Sequence, residues 1–239
     1  MDNAIYATLT RQSGLMREMR VVANNIANAQ TTGFRREGVV FSEYLTPTGQ
    51  GREGLSMANA RGRLLDLRQA GMSRTGGSYD LAIDGAGFFA VQAPDGVRIT
   101  RAGAFMTSAE GELMTAEGHR LLDEGLAPIQ IPPGARQVAL GPDGTLSADG
   151  EQLARVGLFA APDPETMLRQ GGTMFAVDPA DLEPAFETRI QQGFLEDSNV
   201  DPIFEMTRMI EVQRAYEIGQ TLLDREDQRI RDTIQAMTR

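Results

Sequence analysis

Cysteine, tryptophan and lysine are missing from this 239-residue chain, and histidine occurs once, at His119. All 23 basic residues are arginine. Without cysteine there are no disulfides, thiolate metal sites, iron–sulfur clusters or thiol nucleophiles, and the redox poise of the compartment is immaterial. Without lysine, Schiff-base chemistry and the P-loop lysine drop out. A single histidine leaves few ways to build a catalytic triad or an imidazole metal site. Carboxylate-only catalysis survives that filter, so composition demotes an enzyme without excluding one. No run approaches the roughly 18 apolar residues of a membrane span. The opening Met1-Asp2-Asn3-Ala4-Ile5-Tyr6 lacks the basic region and apolar stretch of a cleavable secretory signal. Any passage out of the cytoplasm is therefore expected by another route.

What is present is an ordinary globular balance, 41% hydrophobic and 23% charged, with a net charge of −10. The charge is uneven. Residues 1–74 carry ten arginines against six acids, and residues 75–239 carry 13 against 27. The acidic bulk opposes nucleic acid and anionic membranes.

The order of patterns is helix, connector, β-rich middle, helix. Over residues 2–30, Ile5, Thr8, Gln12, Leu15, Met19, Val22, Ile26 and Ala29 fall on one heptad seam, with Arg11, Arg17, Glu18 and Arg20 off it. Asn24, Asn25 and Asn28, then Thr31-Thr32-Gly33, form a stop signal of residues that tolerate left-handed backbone. A second helix starts within Asp197-Ser198-Asn199-Val200-Asp201-Pro202. Either Asp201 caps it with Pro202 at the first turn, or Ser198 caps it. It runs to about Met237, with Met209, Tyr216, Leu223, Ile230 and Met237 every seven residues, and Met206, Ile210, Gln213 and Ile234 beside them. Helices of roughly 40 and 55 Å with narrow seams need a partner, and the nearest is each other.

Residues 35–78 are rich in Gly, Arg, Thr, Ser and Met and are expected to be an extended connector. Residues 79–196 carry turn pairs such as Asp84-Gly85, Asp95-Gly96, Glu117-Gly118 and Asp143-Gly144. Between such turns lie strand-like runs at 81–83, 88–92, 97–100, 112–115, 119–122, 129–131, 138–140, 153–160 and 174–177. That spacing predicts an antiparallel β domain. The expected class is α+β: a discontinuous coiled-coil domain from 1–34 and 197–239, with the β domain inserted through the connector.

Candidate chemistry is thin. Asp80 and Asp84 share a strand face, but they read better as strand-edge and turn residues than as an acid/base pair. Gly85-Ala86-Gly87 opens like a dinucleotide fingerprint, yet Phe88-Phe89-Ala90-Val91 follows as a strand, not a helix. The glycines read as a bend that feeds two phenylalanines to the core. His119 has no visible partners for a metal. No catalytic, metal or cofactor residue is assigned. Met16, Met19, Met206, Met209 and Met237 form adaptable seams suited to core or to contact.

Three motifs in order carry a resemblance over nearly the whole chain. Val22-Ala23-Asn24-Asn25-Ile26-Ala27-Asn28-Ala29-Gln30-Thr31-Thr32-Gly33-Phe34-Arg35 resembles the N-terminal signature of flagellar rod and hook proteins. Gly193-Phe194-Leu195-Glu196-Asp197-Ser198-Asn199-Val200-Asp201, continuing through Met206, Met209 and Gln213-Arg214-Ala215-Tyr216-Glu217, is similar to their C-terminal signature. Residues 81–91 and 100–105 resemble their central domain. Length and opening residues fit a proximal rod member first and a distal one second. The resemblance implies a structural axial subunit of the bacterial basal body that transmits torque in the periplasm. It also implies export through the flagellar type III channel, and assembly with other rod subunits and copies of itself. The implied assembly residues are Ile5, Leu15, Met19, Val22, Ile26, Met206, Met209, Ile210, Tyr216, Leu223 and Ile230. The motif residues are Asn24, Asn25, Asn28, Thr32, Gly33, Phe34, Ser198, Asn199, Val200, Gln213, Arg214 and Ala215. A rival class, a β-rich glycan-binding module dimerised by its helices, is disfavoured by zero Trp and four Tyr. A two-helix unit buries little surface. Limited proteolysis of the isolated chain is therefore expected to cut within about 1–75 and 200–239 first. Full protection of both ends in a proven monomer contradicts that expectation.

Overall fold

A computed structural model describes residues 2–46, 55–161, 163, 167–185 and 188–237; the side chains of residues 2–7 and 41–63 lie outside that description. Helix α1 spans Asp2–Ala27, strand β1 Glu37–Thr46, strand β2 Leu55–Leu65 and helix α2 Pro202–Met237. Short antiparallel strands joined by turns and loops make up the sequence between β2 and α2. The class is α+β.

The chain divides into two compact units. One contains residues 1–27, 37–64 and 201–239, and the other 28–36 and 65–200. In the first, α1 packs on α2, and β1 packs on α1 and pairs with β2. Here the connector expectation needs correction. Glu37–Thr46 is a strand because Val39, Val40, Phe41 and Tyr44 favour pleated backbone, and Leu55–Leu65 pairs with it. The predicted Thr46–Gly51 loop lies, beyond Thr46, outside the described residues.

Both helices end near their sequence signals. After Ala27 the chain turns, with Thr31 N–H donating to the Asn28 carbonyl at 3.1 Å. At α2, Asp201 is the cap: its Oδ1 accepts from Ile203 N at 2.9 Å and Phe204 N at 3.2 Å, with Pro202 in the first turn. Ser198 Oγ instead accepts from Val200 N, within the preceding loop.

The second unit is built on one large antiparallel sheet. Strand Phe88–Ala93 lies at its centre, paired with Gly96–Thr100 on one side and with Arg120–Leu121 and Leu158–Phe159 on the other. Phe88, Phe89, Ala90 and Val91 are all buried, because both faces of this strand are covered. Phe89 and Val91 join Leu113, Leu121, Ile129, Leu146 and Ile190 in one cluster. Phe88 joins Ile99, Met167 and Phe175 in another. Edge-on rings at 6.1 Å (Phe88, Phe175) and 5.5 Å (Phe89, Phe105) interlock each side. Gly85 and Gly87 both take positive φ, and a side chain at Gly87 would press on the Phe159 carbonyl, so this pair does form a bend.

The end of this unit returns to its beginning. Arg189–Gln192 pairs with Leu81–Asp84, and Phe194–Glu196 with Met72–Arg74. Both termini of the insertion therefore leave from one place. At Gly103 a methyl group would collide with the Leu81 carbonyl oxygen, whose own N–H donates to the Gly103 carbonyl at 2.9 Å. Gly103→Ala must push two backbones apart. It is expected to destabilise this unit by about 1–3 kcal/mol, seen as a lower midpoint in urea followed by circular dichroism.

Candidate assembly surface and its anchors

In the helix pair, α1 buries Leu15 and Val22 and half-buries Met19 and Ile26. The side chain of Ile5 lies outside the described residues. On α2 only Glu205 and Val212 are buried, while Met209, Ala215, Tyr216 and Leu223 are half-buried. The buried seam thus runs Glu205, Met209, Val212, Tyr216, Gly219, Leu223. Sequence reading found the row of 209, 216 and 223. It missed the row of 205, 212 and 219, because two of those three positions are not apolar.

Met206, Ile210 and Ile230 are exposed. The first two sit one position, about 100°, around the helix from the buried row. Ile230 lies in the stretch after Leu223, where every described residue but Glu226 is exposed. Helix α2 has 36 residues against 26 in α1. The exposed apolar side chains continue along it: Ile203 at 76%, Ile218 at 72%, Leu222, Ile234, and Met237 at 82%. They lie on more than one side of the helix: Ile203 and Ile234 are 31 residues apart, about 140° around it.

Polar groups fasten the pair. Asn25, fully buried, donates through Nδ2 to the Glu37 carbonyl at 2.8 Å and to Glu205 Oε2 at 3.1 Å, and its Oδ1 accepts from Glu37 N at 3.1 Å. One amide side chain thereby ties α1 to β1 and to α2. Arg208 closes on Glu18 at 2.5 Å and on Glu211 at 3.0 Å. Asn24, Gln213 and Arg214 are exposed, and Ala215 lines a small groove beside Gln12 and Gly219.

In the other unit the remaining motif residues hold loops together. Gly33 sits at φ +69°, and a methyl group there would collide with the Ala102 nitrogen. Its N–H donates to the Glu196 carbonyl at 2.8 Å. Phe34 is fully buried beneath the Arg169 guanidinium, 4.2 Å from the ring centre. Asn199 Oδ1 accepts from Arg36 N at 2.6 Å, and its Nδ2 donates to the carbonyls of Asp66 and Arg68. Val200 is buried beside it. Asn28 Oδ1 accepts from Thr31 Oγ1 at 3.1 Å. Thr32 lines a cleft that also holds His119.

At the centre of these loops is a buried ionic triad that sequence reading did not single out. Glu196 is fully buried and takes Arg35 Nη2 on Oε1 at 2.6 Å and Arg101 Nη1 on Oε2 at 3.1 Å. Ala70 N also donates to Oε1, at 2.9 Å. Arg101 reaches the Gly85 carbonyl at 2.7 Å, and Arg35 the Arg68 carbonyl at 3.2 Å. Burial pushes the Arg101 pKa down to about 10 against the opposing pull of Glu196, so it remains charged at neutral pH. In the sequence, Arg35 and Glu196 each fall inside one of the terminal motifs. Nothing local pairs them across 161 positions.

Asp80 and Asp84 are engaged separately: Thr75 Oγ1 donates to the first at 2.5 Å and Gln191 Nε2 to the second at 3.2 Å. Among the described residues no helix is long and apolar enough to cross a membrane.

This layout, paired terminal helices with an inserted β unit, coincides with three family models. Residues 5–35 match the flagella basal body rod protein model, 82–148 the D1 domain of the flagellar hook protein FlgE/F/G, and 191–236 the C-terminal region of flagellar basal body rod FlgEFG proteins. The chain is 40% identical to flagellar basal-body rod protein FlgF of Caulobacter vibrioides, over 99% of this chain and 98% of that one. The chain belongs to the flagellar basal-body rod proteins. Among rod proteins, FlgF of Mesorhizobium japonicum is 39% identical over 91% of this chain and 90% of its own. FlgG of Bacillus subtilis is 28% identical over 98% of each. The chain is thus a structural component of the flagellar basal body, assembling with other rod subunits, and not an enzyme.

In a rod protein the triad is a structural commitment. Glu196→Gln leaves two cations in the interior without their anion. It is expected to cost about 3–5 kcal/mol in chemical unfolding of the β unit. The apolar replacement Arg35→Met/Glu196→Leu/Arg101→Met is expected to recover most of that loss, because the desolvation cost goes with the charges.

Proposed function

We propose that this chain is a FlgF-type subunit of the proximal rod that joins its neighbours through its terminal helices. The observation that carries the reading is the set of apolar side chains of α2 left exposed: Ile203, Ile210 and Ile218 beside the buried seam, and Ile230 and Met237 on the seam row beyond Leu223. The difference in identity, 35–40% to FlgF relatives against 28–31% to FlgG relatives, supports the proximal over the distal position. Neighbouring copies and other rod proteins would cover these side chains by heterologous contacts that do not close on themselves, which generates a helical tube. Torque then passes through many such interfaces at once. Ile26, Met19 and Met209, half-buried within the pair, would be covered more completely in the tube. The subunit would reach the periplasm through the flagellar type III channel. The absence of cysteine suits passage from a reducing to an oxidising compartment.

The test separates surface from core. Ile210→Asp and Ile218→Asp each place a charge on the exposed surface and leave the buried seam untouched. Each is expected to abolish swimming in soft agar and to remove this subunit from isolated basal bodies, while the thermal transition of the β unit shifts by less than roughly 0.5 kcal/mol equivalent. Full motility with both charges in place overturns the proposal.

A further inference from the structure

Gln12 stands on the apolar seam of α1, between Thr8 and Leu15, and is buried. Its Nε2 donates to the Tyr216 carbonyl of α2 at 2.8 Å. Reaching a helix backbone carbonyl from the side requires a gap in the side-chain layer. Gly219 supplies it: a methyl group there would collide with Gln12 Nε2 and come within 3.1 Å of Cδ. It is the only glycine in α2. Gln12 Oε1 is buried without a hydrogen-bond partner. A leucine at this position would fill the seam with no orphaned acceptor, so the glutamine lowers stability where it stands.

Such a residue earns its place by choosing one alignment over others. The alternatives here are concrete. The α2 row Met209, Tyr216, Leu223, Ile230, Met237 repeats every seven residues, so a seam of purely apolar contacts reads alike after a one-heptad slide. With ten more residues than α1, α2 also has length to accommodate a slide. After a slide, Gln12 would face Val212 or Glu226 in place of Gly219, and a side chain would then stand between its amide and any backbone carbonyl. Asn25–Glu205 and Arg208–Glu18 fix the end of the pair near the start of α2. Gly219 lies 14 residues beyond Glu205, about 21 Å along the helix.

We propose that Gln12 and Gly219 form a register lock, a polar key in a glycine notch that holds the far half of α2 in one alignment against α1. The lock concerns the pair within one chain and stands whether or not rod assembly follows the scheme above.

The chain has no cysteine, so introduced pairs are its only thiols. Thr8→Cys with Leu222→Cys tests the observed register, since both residues line the groove at Gln12. Thr8→Cys with Ala215→Cys, and Thr8→Cys with Arg229→Cys, test one-heptad slides. Each lies about 10.5 Å further along the helix, beyond disulfide reach in the observed alignment. Under mild oxidation of the purified full-length chain, the in-register disulfide is expected to exceed either slid one at least tenfold. Gln12→Leu and Gly219→Ala are each expected to raise slid disulfides at least tenfold. Alanine is the better helix former, so Gly219→Ala is expected to do so with no loss of far-UV helix signal, an outcome that a folding defect does not produce. The proposal is overturned if the in-register pair does not form in the otherwise unaltered chain, or if neither variant raises the slid pairs. It loses its glycine half if only Gln12→Leu does. Loss of motility through other surfaces moves none of these readings.

Discussion

Glu196 holds two arginines in the buried interior, and the organisation of the β unit follows from that arrangement. Burying three charges is expensive, and only close geometry with every oxygen engaged makes it tolerable. Both carboxylate oxygens are used: Oε1 by Arg35 and Ala70 N, Oε2 by Arg101. Arg35 arrives from the loop after α1, Arg101 from the turn after strand Gly96–Thr100, and Glu196 from the strand just before α2. None of these segments can move without stranding a charge. The triad therefore fixes where the chain enters and leaves the insertion, a task that apolar contacts, being non-directional, perform less sharply.

The helix pair is built on the opposite balance. Its apolar seam is thin, with Leu15, Val22 and Val212 its only buried hydrophobic side chains among the described residues. Directional groups at Asn25, Glu18 and Gln12 supply alignment instead. Under the proposed assembly, a subunit that shares its helices with neighbours would gain from this division. Strong internal burial would leave nothing apolar on the surface to associate, whereas polar pins hold register and leave apolar side chains of α2 open. The weak seam and the exposed side chains are two sides of one allocation of apolar residues.

Much of this was legible beforehand, for reasons particular to each element. The terminal helices were visible because heptad patterns are local and their caps are spelled by adjacent residues, Asp201-Pro202 among them. The strand at 88–92 stood out because a doubly covered strand must be continuously apolar. Strands 105–107, 145–148, 189–192 and 194–196 were not singled out. They are short and mixed in polarity, and are strands only because a distant partner offers hydrogen bonds. The connector differs from its sequence expectation for a related reason: Leu55–Leu65 has weak intrinsic preference and becomes a strand by pairing with β1. Motif residues such as Asn199 and Gly33 stand out in the sequence, but their roles, tying the backbone at Arg36 to that at Asp66 and Arg68 and avoiding a backbone collision, depend on the fold.

By itself the sequence determined which segments are helical, that the middle is antiparallel β, and that the chain has no equipment for thiol, lysine or multi-histidine chemistry. Each of these depends on composition or on residues within a turn or two of one another. Only the tertiary structure decided that Arg35, Arg101 and Glu196 share one buried site, that Glu205, Val212 and Gly219 complete the α2 seam, and that Gln12 fits against a glycine. Those pairings join residues about 60 to 200 positions apart, and no local pattern encodes which distant partner will satisfy a buried charge or fill a missing side chain.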